Sequence, residues 1–235
     1  MITRLRDTLF SRVRRLAGDQ TGVTLSELIV TMALLTMLLA MIMTIFISFS
    51  RSFTEDRSAS SNTAAAAVAM NELTRVVRSG TEIPVSGRQT NDPVFSVAAP
   101  DRVVLQAFLD TEAASPKPVR VEFSITADRT LQERRWTSIV SSSGYFTFNN
   151  TAASQRTVVR QIAAGTAPVF AFFDAKNLPI ALVGGKIPDD KLATIAAVKV
   201  SMTVQTDPTG NAQTATLENT VGIPNLGRSR IGTNQ

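Results

Sequence analysis

Cysteine and histidine are both missing from the 235 residues. Without thiols, an exported domain must fold with no disulfide, no zinc site can be built on thiolate, and there is no residue to carry a lipoprotein's acyl chain. Without imidazole, the Ser–His and Cys–His nucleophilic pairs disappear as well. A Ser–Lys dyad survives this exclusion, but Lys117, Lys176, Lys186, Lys191 and Lys199 fall in turns or on polar strand positions, the ordinary places for a solvated charge. No Gly-rich phosphate loop precedes a helix. The expectation is a protein that is not an enzyme and holds no cofactor. Charge of one sign is also scarce. The net charge is +5, and five Arg and two Asp ahead of Val23 contribute +3 of it (5 − 2), which leaves +2 for the rest. That balance is too weak to argue for a nucleic-acid surface.

Other absences are local. From Val23 to Phe49 there is no Gly and no Pro, and the one ionisable side chain is Glu27. At about 1.5 Å per residue, this run is long enough to cross a bilayer core of about 30 Å. Arg4, Arg6, Arg12, Arg14 and Arg15 precede it, so the positive-inside tendency places the leader in the cytoplasm and the rest of the chain across the membrane. Ile2, Leu5, Leu9, Val13 and Leu16 recur at helical spacing among these arginines, a pattern that suits either a short amphipathic helix on the inner membrane surface or a frayed, solvated leader. Two plainer readings stand beside this one. A secretory signal peptide with a small-residue site near Ala40 has an apolar core of about 7–15 residues, and the run here is longer. A plain signal anchor leaves Glu27 without a role.

A carboxylate at membrane depth costs free energy and asks for a partner. If the chain is cut after Gly22, Val23 becomes the amino terminus, and Glu27 lies one helical turn from an ammonium group. That amine, or the amine of a neighbouring molecule, compensates the carboxylate together with the positive end of the helix dipole. A short basic leader, then Gly22, Val23, Thr24-Leu25-Ser26-Glu27 and a long apolar helix, resembles the prepilin leader of type IV pilins and type II secretion pseudopilins. The resemblance covers the first quarter of the chain. It implies that a prepilin peptidase cuts after Gly22 and methylates Val23, and that Glu27 pairs between subunits. The partners it implies are the peptidase, other pilins or pseudopilins met through the N-terminal helix, assembly platform proteins and the bacterial inner membrane. Val23 stands where the family usually has Phe, and Ser26 where it usually has Ile.

The helical pattern continues past the apolar run. Arg51 and Glu55 form an i, i+4 pair, Ser58–Thr63 is polar, and Ala64–Ala67 favours helix most strongly. Ala66, Ala69, Met70, Leu73, Val76 and Val77 share one stripe, with Asn71, Glu72, Arg75 and Arg78 opposite. Gly80 is a natural C-cap. The expectation is one helix over 23–79, transmembrane in its first half and amphipathic in its second; the alternative is two helices joined at Ser58–Asn62. After residue 80 the period falls to two. Residues 80–93 read as loop. Val103, Leu105, Ala107 and Leu109 alternate with more polar neighbours. Residues 118–137 read as a hairpin turning at Asp128-Arg129, and Ser141–Gln155 as a long exposed connection whose Tyr145, Phe146 and Phe148 tuck into the core edge. Thr157–Ile162 is a short strand, and Pro168–Asp174 a strand covered on both faces. Asp174–Asn177 then turns the chain, and Lys186–Lys191 is a loop or short turn. Val198–Val204 and Ala215–Val221 form a last hairpin around the turn cluster Asp207–Asn211.

The fold class is therefore α+β: a long N-terminal spine helix packed on a C-terminal antiparallel β domain over 80–235, behind a leader over 1–22. Leu131-Gln132-Glu133-Arg134-Arg135, the Phe-rich strand ending in Asp174, Ile195–Val200, and a closing strand with Asn219 and Asn225 are similar to minor pilins and minor pseudopilins of the W and J types. The length agrees with a minor subunit. Asp174 with Asn177, and Asp189 with Asp190, supply oxygen atoms of the kind calcium takes, but their spacing matches no defined calcium loop and turn chemistry accounts for them. The functional expectation is a structural minor pilin or pseudopilin. The alternative is a membrane-anchored extracytoplasmic binding module for a ligand or DNA, which predicts a basic or aromatic face on the β domain and no processing at Gly22.

Overall fold

The computed structural model describes residues 22–85, 90–110, 114–141, 144–163, 169–205 and 214–226. The leader before Gly22, the turn cluster Asp207–Asn211 and the tail after Leu226 lie outside the described residues. The chain divides into two units, one ending at Phe53 and the other beginning at Thr54. A single helix, α1 (Leu25–Arg78, 54 residues), contributes to both.

In the first unit every residue of α1 is exposed, including its Leu, Ile, Met and Phe side chains. The segment is long and apolar enough to cross a membrane. Its threonines do not oppose that. Thr31, Thr36 and Thr44 donate their hydroxyls to the carbonyls of Leu28, Ala33 and Ala40 at 2.8–2.9 Å. A polar group satisfied within its own helix loses little when water is removed.

In the second unit the stripe expected on α1 is buried: Ala66, Ala69, Met70, Leu73, Val76 and Val77, with Asn62 one turn earlier. It packs on antiparallel strands in two sheets, nine among the described residues. The first sheet holds β1 (Phe95–Ala98), β2 (Arg102–Ala107), β3 (Val119–Ile125) and β4 (Leu131–Val140) in that order; β5 (Phe146–Phe148) and β6 (Ser154–Val159) share the other side of β4. The second sheet is β7 (Phe170–Phe173), β8 (Ala197–Val204) and β9 (Ala215–Gly222). Val103, Leu105, Val121, Phe123 and Leu131 join the helical stripe in one core with Phe170, Phe172, Val198, Val200 and Met202. Phe95 meets Phe172 edge-on, with ring centroids 6.1 Å apart. The segment between the sheets is pinned from both sides: Ala163 N–H donates to Thr203 O at 2.9 Å, and the Arg129 guanidinium donates to the carbonyls of Ile162 and Ala163.

The 118–137 and 198–221 hairpins form as expected, the first turning through Arg129 at φ 56°. Elsewhere the chain departs from the expected pattern. Ser141–Gln155 is not one connection: β5 pairs with Ser138–Val140, and β6 starts at Ser154. β1 follows the expected loop directly, its burial set by the core rather than by alternation. β7 buries Phe170 and Phe172 fully but leaves Ala171 and Phe173 half-covered, so it is not enclosed on both faces. Residues Asp189–Thr194 form a short 3-10 turn.

Gly80 is needed for a different reason than helix capping. It is not among the glycines with positive φ, so it is no left-handed cap. A Cβ placed there would lie 2.6 Å from Val94 Cγ1 and 2.9 Å from Val77 O. The glycine lets the strand region approach the end of α1. Gly80→Ala is expected to lose about 2–3 kcal/mol through overpacking, read as a lower denaturation midpoint with unchanged slope for the full chain in detergent.

Candidate functional site

The residues singled out at the start of the chain sit at the beginning of α1. Thr24 is the N-cap. Its carbonyl accepts Leu28 N–H at 3.0 Å, and its hydroxyl oxygen accepts Glu27 N–H at 3.3 Å. The backbone bond closes the first turn, and the side-chain bond satisfies a donor that has no intrahelical partner. Ser26 Oγ lies 3.2 Å from the same hydroxyl. Thr-Leu-Ser-Glu is thus also the sequence pattern of a capping box, a signal present in the sequence alongside the leader motif. Because Thr24 fixes the start of the helix, Gly22 and Val23 are left on exposed, non-helical backbone. Glu27 is exposed in the first turn and makes no ion pair among the described residues. The three residues are brought together by chain adjacency.

A second cluster, in the second unit, combines two carboxylates with three guanidinium groups. Alternation along β4 turns Leu131, Glu133 and Arg135 to the core side, and Arg156 of β6 lies directly opposite Glu133. The Glu133 side chain is fully buried and accepts Arg135 Nε and Arg156 Nε at 2.5 Å each. Glu72, on α1, takes Arg75 at 2.7 Å, Arg135 at 2.9 Å and Arg156 at 2.5 Å. Burial pushes the Glu72 carboxyl up, but the Arg75 hydrogen bond and the charges of Arg75, Arg156 and Arg135 outweigh it and hold the group below its ordinary value. The cluster locks helix to sheet; it presents no nucleophile and no open ligand position. The inward register of Glu133 was the available signal, since an acid following Leu131 on the core face must find a cation.

The oxygen-rich turns are internally occupied. Asp174 Oδ1 accepts the N–H groups of Lys176 and Leu178 at 2.9 and 2.8 Å, with Asn177 at φ 60°. Asp189 Oδ1 accepts Lys186 Nζ at 3.2 Å. Lys199 and Ser201 hold Glu218, and these contacts lower its pKa. On the face of the first sheet away from α1, Arg120 stacks over Phe148 at 4.4 Å, and buried Glu122 takes Arg102 at 3.2 Å and Arg134 at 4.0 Å.

No family model and no curated protein matches this chain. The class defined by the fold is an α+β protein whose long, apolar N-terminal helix contacts antiparallel sheets through its second half. That architecture is consistent with a pilin-like fold without identifying one.

The charge cluster makes stability depend on acid. A depressed carboxyl stabilises the fold above its unfolded value of about 4.5, and this contribution is lost as pH falls through the folded value. Thermal midpoints of the full chain are expected to drop on acidification below about pH 4.5, and to drop less in Glu72→Gln. At neutral pH, Glu133→Gln is expected to cost about 2–3 kcal/mol, less than a fully enclosed pair because its arginines regain water, and Glu72→Gln about 1 kcal/mol. Chemical denaturation of the three proteins measures both differences.

Proposed function

We propose that this protein is a minor pilin or pseudopilin: made as a precursor, inserted in the bacterial cytoplasmic membrane with its leader inside, cut after Gly22 by a prepilin peptidase, methylated at Val23, and assembled through α1 into a pilus-like or secretion-like fibre. The observation that carries the reading is the start of α1. A threonine cap leaves Gly22 and Val23 on exposed, non-helical backbone, immediately ahead of an exposed apolar helix whose first turn carries one carboxylate. A peptidase needs accessible backbone at the cut. A helix that leaves lipid for a fibre needs apolar surroundings in both places, and in that packed setting an unpaired carboxylate is costly enough to fix register. Glu27 has that role, with the Val23 amine of an adjoining subunit as its partner.

The alternative, an anchored binding module that is not assembled, draws on Arg102, Arg120 and Arg134 with Trp136 and Phe148 on the outer face of the first sheet. It is the weaker reading, because Glu122 and Phe148 already engage those arginines.

Mass analysis of the protein purified from its native host separates the two. A chain beginning at N-methylated Val23, and retaining its leader when the peptidase is absent, is the expected result. A chain beginning at Met1 or beyond Glu27 overturns the proposal. Glu27→Ala is expected to insert in the membrane normally but to be lost from sheared surface fibres; unchanged incorporation would remove Glu27 from assembly.

A further inference from the structure

The two edges of the second sheet are treated differently. Beyond β7 the chain folds back and pairs: Ile180 N–H donates to Phe172 O at 2.9 Å, and Phe173 bridges Pro179. β9, at the other end of the sheet, has no strand beyond it among the described residues. Its register with β8 decides which groups face outward. Ser201 N–H and Thr203 O turn away from β9, to Val169 and Ala163, so their neighbours Val200 and Met202 face β9, where they oppose Asn219 and Leu217. The alternate residues Thr216, Glu218, Thr220 and Gly222 therefore direct backbone N–H and C=O to the open edge. No proline or bulge blunts this edge, and its one charged side chain, Glu218, is held by Lys199 and Ser201 of β8.

Beside the edge lies a groove of about 610 Å³, a volume in the range of ligand pockets. Thr74 and Arg78 of α1 form one wall, Asn219 to Gly222 the other, and Pro224 and Leu226 the end. Asn219 Nδ2 donates to Thr74 Oγ1 at 3.1 Å and holds the walls in place. Two features fit an incoming backbone. Gly222 ends the strand with open space where a Cβ would stand, as glycine does where another chain approaches closely. Arg78 is the one charged residue of the lining, and it makes no ion pair among the described residues, whereas Arg75, one turn earlier, is held by Glu72.

We propose that this groove binds an extended, carboxylate-bearing segment of another protein, which adds to β9 as a fourth strand and places its carboxylate on Arg78. Strand addition takes its affinity from main-chain hydrogen bonds and its selectivity from side-chain contacts, so the open edge supplies the first and Arg78 the second. The inference does not depend on the chain being a fibre subunit.

The test uses the full chain in detergent and a fluorescein-labelled peptide of alternating Thr and Val ending in Asp, with a second peptide ending in amidated Lys. Fluorescence anisotropy is expected to show saturable binding of the Asp peptide, weaker by about fivefold for the Lys peptide, the size of one exposed ion pair. Arg78→Gln is expected to remove the difference between peptides while leaving residual binding. Gly222→Val is expected to abolish binding of both with an unchanged thermal midpoint; should it fail to fold, Arg78→Gln carries the test alone. Equal binding of the two peptides, or no loss in the variants, overturns the proposal. Binding that appears only after truncation beyond Leu226 assigns the groove to the chain's own tail and overturns it. Self-association in sedimentation that Gly222→Val abolishes assigns the groove to a second copy and overturns it as well.

Discussion

The second unit is built on one contact surface, the buried stripe of α1 from Asn62 to Val77. Six of its seven side chains are apolar, and four of those, Ala66, Ala69, Val76 and Val77, are shorter than Leu, so the helix axis can approach the sheets closely. Both sheets contribute to the surface it meets, which makes the stripe common to Phe123 and Leu131 on one side and Val200 and Met202 on the other. Buried apolar area of this kind stabilises at about 25 cal/mol per Å², without direction. Direction comes from the charged edge of the contact. Glu72 and Glu133 are held by the same Arg135 and Arg156, so sliding the helix along the sheet separates Glu72 from the arginines it shares with the fully buried Glu133. Apolar packing holds the elements together and the ion cluster sets their register.

The first unit obeys the opposite constraint. The helical segment up to Phe53 is exposed all round and apolar almost all round. Water is its least favourable setting, and either lipid or a bundle of like helices removes it from water. The same residues suit either setting, which is what the proposed passage from a membrane to a fibre asks of them. Glu27 is the one charged side chain between Val23 and Phe49, and under the proposed assembly it is the group that distinguishes the two settings. The Thr24 cap is compatible with both, since it satisfies backbone donors locally and leaves the Glu27 carboxylate free of the capping hydrogen bond that Thr24 accepts.

Legibility followed the range of the interactions. The stripe on α1 could be read because burial repeats with the helical period, and the 198–221 hairpin because apolar and polar residues alternate from Val198 to Val204. The segment 141–155 could not, because β5 is three residues long and exists by pairing with the far end of β4. Gly80 was visible as a necessary glycine but for the wrong reason: nothing local announces that Val94 will lie where its Cβ would be. At the start of the chain, Gly22, Val23 and Glu27 were legible as a motif; the Thr24 cap was missed, although its signal lies within the same few residues.

The sequence by itself determined the long apolar helix, the amphipathic stripe after it, the antiparallel strands, and the lone carboxylate near the start of the helix. These follow from periodicity, propensity and the energetic cost of a charge in an oily segment, all of which act over a few residues. Tertiary structure alone decided that the strands separate into two sheets, that Glu133 and Glu72 share arginines, and that among the described residues the edge of β7 is covered while that of β9 is not. Those outcomes depend on which distant segments come to lie side by side, and the free energy that selects among such pairings belongs to the assembled core rather than to any stretch of chain.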